Sequence, residues 1–364
     1  MPPDRIDLSQ LNRALVIKLR HHGDVLLTSP VFACLKRAAP HLEIDALVYA
    51  DTAPLLAGHP AIREVKTIDR AWKRAGLWTQ AREEWRLINS LRAAGYDLLI
   101  HLTEHPRGAW LSRLLQPRFS VARKEADRSR WWAGSFTHLY PVPRGKPRHT
   151  VELHLDALRR LGCFPSEEDR RLVLQPGVAA ETRITKELAA LGLAQGPFLH
   201  VHPGSRWLFK CWPMAHFARL LQELGDAGWA IIVTAAPDSR EAAMIEPLRV
   251  ALGERVHFGL AGKLSLPELA ALTKRARLFL GVDSAPMHIA AAMGTPTVAL
   301  FGPSGELEWG PWRVPQRVLV SRQHTCRPCA LDGCGGSKRS ECLEAISVAE
   351  VRAAIDALLA ETAG

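Results

Sequence analysis

Short runs of contiguous aliphatic residues alternate with longer stretches whose apolar positions recur every three or four residues, and this rhythm continues along the whole chain. The short runs read as buried strands and the longer stretches as amphipathic helices. In the first half, strands are predicted at 14–19, 44–49, 64–68, 98–102 and 119–122, with helices near 25–38, 79–94 and 149–161. In the second half, strands are predicted at 198–202, 229–234, 256–258, 278–282 and 297–301, with helices near 215–227, 240–252 and 266–276. Strand and helix in repeated succession predict an α/β architecture with mostly parallel sheets. The stretch 163–177 turns polar and proline-bearing, so a boundary is expected there. The expected domains are 1–175 and 176–345, and a final amphipathic segment, 346–364, is expected to fold back onto the first domain.

Two strand-to-helix turns carry polar groups. The run Phe279-Leu280-Gly281-Val282-Asp283-Ser284-Ala285-Pro286-Met287-His288 delivers Asp283 at the end of a strand. Ser284 is expected to cap the following helix and Pro286 suits its first turn, where unpaired backbone N–H groups favour an anion such as a diphosphate. Far away in sequence, the strand ending at Leu19 runs into Arg20-His21-His22-Gly23-Asp24. Asp24 reads either as the N-cap of a helix starting at Val25 or as a general base. Two such units predict two α/β halves whose ligand edges face one cleft.

A third turn, Pro203-Gly204-Ser205-Arg206, follows the strand 198–202 and leads to Lys210. Gly204 is expected to admit a ligand close to the backbone, Ser205 offers a hydroxyl, and Lys210 can neutralise a phosphate. Neither a strand-following G-x-G-x-x-G nor a G-x-x-x-x-G-K-[ST] is present, which argues against a nicotinamide dehydrogenase and a P-loop nucleotidase. There is also no Asp-x-Asp pair of the kind that holds a divalent metal in many sugar transferases.

Charge changes the picture when it is divided between the halves. Residues 1–175 hold 28 Lys and Arg against 19 Asp and Glu, a balance of +9, whereas residues 176–364 hold 19 against 18, a balance of +1. The densest basic stretch has Arg123, Lys124, Arg128, Arg130, Arg144, Lys146 and Arg148 interleaved with Trp131, Trp132, Phe136 and Tyr140. Such a segment suits an anionic lipid, a nucleic acid or a phosphorylated saccharide. Residues 1–7 lack the apolar core of a signal peptide, and no apolar run approaches the roughly 18 to 20 residues that span a bilayer, so a cytoplasmic protein is expected. Cys326, Cys329, Cys334 and Cys342 cluster in sequence, open to a structural zinc site, to reduced thiols or to disulfides.

Taken together, these stretches resemble glycosyltransferase family 9, the bacterial lipopolysaccharide heptosyltransferases. The resemblance is carried by 16–30, by His202-Pro203-Gly204-Ser205, by Lys210-Cys211-Trp212-Pro213, by Leu260-Ala261-Gly262-Lys263-Leu264-Ser265 and by 281–290, and it covers nearly the whole chain. The first of these stretches and the segment 206–212 look most like the heptosyltransferase III branch. The resemblance implies a GT-B fold, two Rossmann-like domains facing a central cleft, with an acceptor-binding first domain and a second domain that holds ADP-heptose. Carried onto matching positions, Asp24 would be the catalytic base and Lys210 a diphosphate ligand. Asp283, Ser284, Ala285 and His288 would form the donor loop, Ser205 would lie near the phosphates, and Lys263 and Leu264 would edge the nucleotide pocket. In one place the chain departs from the pattern: many members carry Thr-Gly after the donor-loop Asp, whereas this chain has Ser284-Ala285 followed by Pro286.

The expected reaction is a metal-independent, inverting transfer of heptose to a heptose of the inner core, with no cofactor. Arg20, His21, Arg128, Arg130 and Arg148 are the candidates for the acceptor, a phosphorylated lipid at the inner membrane leaflet; no nucleic-acid partner is expected. The alternatives are another GT-B enzyme using a different nucleotide sugar, either a transferase or an epimerase, and a non-catalytic nucleotide-sugar-binding protein.

Overall fold

The computed structural model describes residues 4–363 apart from 125–127, 143, 144 and 146. Arg144 and Lys146, counted above in the basic stretch, lie outside the described residues, as do residues 1–3. The chain forms two compact units, Met1–Gln175 and Pro176–Gly364, each around its own core.

In the first unit, β1 (Arg13–Ile17), β2 (Glu43–Tyr49), β3 (Glu64–Ile68), β4 (Leu98–His101), β5 (Phe119–Arg123) and β6 (His138–Tyr140) pair in the order β3-β2-β1-β4-β5-β6. All the pairs are parallel. The direction of winding reverses between β1 and β4, and this switch point opens a crevice beyond the strands' carboxyl ends, the place where such sheets bind ligands. The helices are α1 (His22–Leu26), α2 (Ser29–Ala38), α3 (Leu77–Ala94), α4 (Arg107–Leu115), α5 (Arg130–Ala133) and α6 (Thr150–Arg160). Leu87 and Leu91 of α3, Ala109 and Leu111 of α4 and Trp132 of α5 share one core cluster with Leu15, Ile17 and Leu99 of the sheet, so these three helices form one layer.

The single helix predicted at 25–38 is broken. Pro30 sits in the first turn of α2 and has no N–H to continue the ladder, and the Thr28 hydroxyl turns back to donate to the Val25 carbonyl at 2.6 Å. Helix α4 and the short edge strand β6 were not evident in the apolar pattern. Gly108 explains how α4 fits: a Cβ there would fall 2.2 Å from atoms of the His101 ring, so only glycine lets the helix cross the end of β4.

In the second unit, β7 (Phe198–His202), β8 (Ala230–Val233), β9 (Leu278–Val282), β10 (Thr297–Phe301) and β11 (Gln316–Val320) pair in the order β11-β10-β9-β7-β8, again all parallel. Its switch point lies between β7 and β9. The helices are α7 (Val178–Ala190), α8 (Met214–Asp226), α9 (Ser239–Leu252), α10 (Leu266–Arg275), α11 (Ala285–Met293), α12 (Glu306–Trp309), α13 (Glu341–Glu344) and α14 (Val348–Glu361). The strand expected at 256–258 is reduced to one bridge, His257 to Ile232, and β11 is an addition to the expected set.

The final segment contributes to the second unit's core. Helix α14 opens with a capping box of Ser347 and Glu350, and its apolar face of Val351, Ile355 and Leu358 enters the core of the second unit against α8, β10 and β11.

Candidate functional site

The loop after β1 and the segment after β4 flank the switch point of the first unit. Lys18 follows β1 with its side chain buried; its ammonium donates to the Leu102 carbonyl at 2.9 Å and to Nε2 of His154 at 3.0 Å. The His154 tautomer is fixed from its other side, where Nδ1–H donates to the Leu27 carbonyl at 3.1 Å. Asp24 receives two cations on one oxygen, with Lys18 Nζ and Arg20 Nε each 3.7 Å from Oδ1, and its side chain keeps 14% exposure. It is not an N-cap: α1 starts at His22 with His21 in the cap position, so Asp24 lies in the first turn. Burial lowers the pKa of Lys18, while Asp24 and Glu104 hold it up. Burial also takes His154 well below the usual histidine range, with the Lys18 charge adding to the shift.

Neither Lys18 nor Glu104 was singled out in the sequence, where no local pattern marks them. Burial raises the pKa of Glu104, but its own backbone N–H together with Lys18, Arg20 and Arg123 outweigh that and hold it below the usual carboxylate range. Arg123 reaches Glu104 Oε1 at 3.3 Å, and the Arg128 guanidinium donates to the Glu104 carbonyl oxygen. The edge around Asp24 is therefore a network of alternating charge made of Lys18, Arg20, Glu104, Arg123 and Arg128.

Beside it lies a hollow of about 250 Å³ lined by residues that include Tyr49, Arg70, Trp72, Lys73, His105 and Arg107. Arg70 stacks on Tyr49 at 3.8 Å and donates to the Arg20 carbonyl at 3.1 Å, which joins the hollow to the Asp24 loop. His21 and Arg130 are exposed. Arg148 does not join the cluster: its guanidinium holds the Asp156 carboxylate with both nitrogens, at 2.7 and 3.2 Å.

In the second unit, the loops after β7 and β9 meet at the switch point. Lys210 closes a 3-10 turn and places its ammonium 2.5 Å from Oδ2 of Asp283, the buried residue that follows β9. Ser284 occupies the N-cap position of α11 but its side chain caps nothing, and its buried hydroxyl has no hydrogen-bond partner. This differs from the expected cap and leaves a donor at the helix mouth beside Lys210. Ala285 and Pro286 open α11, and His288, one turn in, is buried. Ser205 is also buried, and its hydroxyl oxygen accepts the Trp207 N–H at 3.3 Å, which shapes the turn towards Lys210. Lys263 and Leu264 follow the left-handed Gly262, whose N–H donates to the Ala235 carbonyl just beyond β8, and so stand on the same carboxyl edge.

Gly204 has a different use from the one expected. A Cβ there would lie 2.6 Å from Oε2 of Glu241, so the glycine admits a buried carboxylate. Glu241 accepts the Ala236 N–H at 2.7 Å and lies 3.4 Å from His202 Nε2, while His202 Nδ1 meets the Thr234 hydroxyl at 2.9 Å. Burial raises the pKa of Glu241, but His202 and the Ala236 N–H outweigh that and bring it below the usual value. This polar layer supports the Gly204–Ser205 turn from behind.

Other features stand apart. A hollow of about 410 Å³, lined in part by Lys274, Arg275 and Arg277, sits at the amino ends of β7, β9 and β10, the edge opposite the loops just described. All seven cysteines are free in this structure. Burial raises the Cys342 thiol, and the neighbouring Cys334, Cys329 and Cys326 add to the shift. Among the described residues, no group of three or more His, Cys, Asp or Glu is placed to hold a metal ion. Among them too, no helix is long and apolar enough to cross a membrane.

Comparisons with known proteins agree with one another. The model of the family described as glycosyltransferase family 9 (heptosyltransferase) matches residues 84–338. Lipopolysaccharide heptosyltransferase 3 of Escherichia coli is 37% identical over 295 residues, covering 81% of this chain and 84% of that protein. The solved glycosyl transferase family 9 structure from Veillonella parvula DSM 2008 matches with a TM-score of 0.81 at 24% identity, covering 99% of this chain and 100% of the other. The E. coli ADP-heptose lps heptosyltransferase II matches at 0.76 and 22% identity, covering 97% and 100%. These likenesses show the GT-B fold expected from the sequence.

Proposed function

Because the chain belongs to glycosyltransferase family 9, the heptosyltransferases, we propose that it transfers a heptose from ADP-heptose to a heptose of the lipopolysaccharide inner core, with inversion and without a metal. The acceptor hydroxyl gives its proton to Asp24 as its oxygen attacks the anomeric carbon; the bond from that carbon to the diphosphate breaks, and ADP departs with the electron pair. A single displacement of this kind inverts the anomeric centre. Lys210 and the amino end of α11 take up the negative charge that grows on the leaving diphosphate, the role a divalent cation plays where an Asp-x-Asp pair is present.

The observation that carries the reading is the pairing of Lys210 with Asp283 at 2.5 Å, beside the unpartnered Ser284 hydroxyl, at the switch point of the second unit. An incoming diphosphate offers Lys210 a second anionic partner and gives the serine an acceptor. Ser205, Lys263, Leu264, Ala285 and His288 complete the donor side in this reading. On the acceptor side, the hollow with Arg70, Lys73 and Arg107, together with Arg20, His21, Arg128 and Arg130, receives the anionic groups of the core. Arg148, committed to Asp156, plays a structural part instead. The enzyme works in the cytoplasm on an acceptor presented at the inner membrane leaflet.

The test is incubation with ADP-heptose and purified core acceptor, read by mass spectrometry for one added heptose and by NMR for the anomeric configuration. The expected product is inverted and forms at an unchanged rate in the presence of a chelator. Retention of configuration, or consumption of donor to an isomer without acceptor, overturns the proposal.

A further inference from the structure

Exposed indoles are concentrated in one place. Among the described residues, Trp78, Trp85, Trp110, Trp131 and Trp207 are the exposed tryptophans, and four of these five lie on α3, α4 and α5. Trp78 is 91% exposed and Leu77, which opens α3, is 84% exposed. On a helix of 3.6 residues per turn, Trp78, Arg82, Trp85 and Arg92 lie on the side opposite Leu87 and Leu91, which enter the core. Helix α4 repeats the arrangement, with Ala109 and Leu111 in the core and Trp110 at 63% exposure. Trp110 packs on Trp131 of α5 at 4.8 Å, and Arg113 lies over the same Trp131 ring at 5.3 Å. The outer surface of a single helix layer therefore carries indoles set among guanidinium groups.

Charge on this layer is one-sided. Helices α3, α4 and α5 hold six arginines against two glutamates. Both glutamates are already paired, Glu83 with Arg82 and Arg86 and Glu84 with Arg107. Tryptophan with arginine on a rigid amphipathic face is the composition that settles at the boundary between lipid headgroups and acyl chains, the ring in the interface and the cation on anionic phosphate. Gln80 and Glu84, on the inward side of α3, line the hollow proposed for the acceptor, and so does Arg107, which opens α4 one turn before Trp110.

We infer that the outer surface of α3, α4 and α5 docks the protein on an anionic phospholipid bilayer, with Leu77, Trp78, Trp85 and Trp110 in the headgroup region. The inference rests on the reading of a lipid-borne acceptor only for the choice of bilayer as the occupant. Docking here holds the acceptor hollow at the membrane surface, so that a core saccharide enters without its lipid anchor leaving the leaflet.

The experiment is co-sedimentation of the full chain with vesicles of phosphatidylethanolamine, with and without phosphatidylglycerol, at low and high salt, in the absence of donor and acceptor. The wild type is expected to bind the vesicles containing phosphatidylglycerol, to release as salt rises, and to show a blue shift of its tryptophan emission on binding. The double variant Trp78→Ser/Trp85→Ser changes only exposed helix positions. It is expected to lose about tenfold or more in vesicle partitioning, while turnover of a delipidated, water-soluble acceptor stays the same. Wild-type protein that remains in the supernatant overturns the inference, and so does a double variant that binds as well as the wild type. A concentration-dependent dimer that the double variant abolishes also overturns it, by assigning the face to a second copy of the chain. Vesicle binding without sugar transfer leaves the docking face standing and removes the heptosyltransferase reading, so the two fail separately.

Discussion

The Lys18 ammonium stands 3.7 Å from Oδ1 of Asp24 and is oriented from behind by the Leu102 carbonyl and by His154. A buried cation locked in this way gives Asp24 a positive neighbour whose position does not depend on flexible surface side chains. Lys18→Met removes that charge and leaves Nε2 of His154 without its donor. Turnover should fall by about 10- to 100-fold, with ADP affinity, which the proposed reading assigns to the other unit, unchanged in calorimetry. An unaltered kcat would remove Lys18 from the mechanism.

Asp24→Asn keeps the shape of the side chain and takes away its ability to accept a proton. The expected loss in kcat is about 10²- to 10⁴-fold, with the melting temperature and ADP affinity close to wild type. A variant that keeps most of its turnover would mean that another group is the base.

Lys210→Met leaves the buried Asp283 carboxylate without its cation and, on the proposed reading, takes a cation from the diphosphate. Donor KM should rise by at least about tenfold and acceptor KM should stay near wild type, as steady-state kinetics with each substrate varied will show. If the acceptor KM moves instead, Lys210 belongs to the other substrate.

Gly204→Ala presses a methyl group to within 2.6 Å of a carboxylate oxygen that is held by Ala236 and His202. The expected cost is about 1–3 kcal/mol of stability, read by chemical denaturation, together with weaker ADP binding because the Ser205 turn is displaced. A neutral substitution would show that Glu241 is free to move aside.

Acid should unfold the first unit through its buried histidines. His59 donates from Nε2 to the Ser29 carbonyl and accepts the Ala61 N–H on Nδ1, so protonation breaks a bond, and burial lowers its pKa from 6.5 to about 4. His101, buried at the end of β4, is lowered by burial to about 3. Between pH 6.5 and these values the unfolded chain binds protons that the folded chain refuses. The stabilisation is therefore complete above pH 6.5 and is lost as pH falls towards 4 and below, by about 3 kcal/mol for His59 alone. Melting temperatures measured by calorimetry from pH 7.5 downwards should fall across this window, and His59→Gln should flatten its upper part. A level profile to pH 4 would contradict the burial argument.

Much of this molecule was legible as sequence. Apolar runs located every strand of the second sheet except β11, and glycine and proline placed the turns that carry Asp24, Lys210 and Asp283. What escaped depends on distant parts of the chain. Lys18 reads as a polar strand end until Leu102 and His154 arrive from 84 and 136 residues away to surround it. The reason for Gly204 lies in Glu241, on another helix, and nothing local to Arg148 announces Asp156 as its partner. Ser284 shows the reverse failure, since local rules supplied a cap that the folded backbone does not use.

Because α14 closes onto the sheet of its own half, residues 176–364 hold a hydrophobic core of their own. A fragment starting at Pro176 is thus expected to fold alone and, on the proposed reading, to bind ADP. Inhibitor screening and isotope labelling can use it with no lipid in the tube.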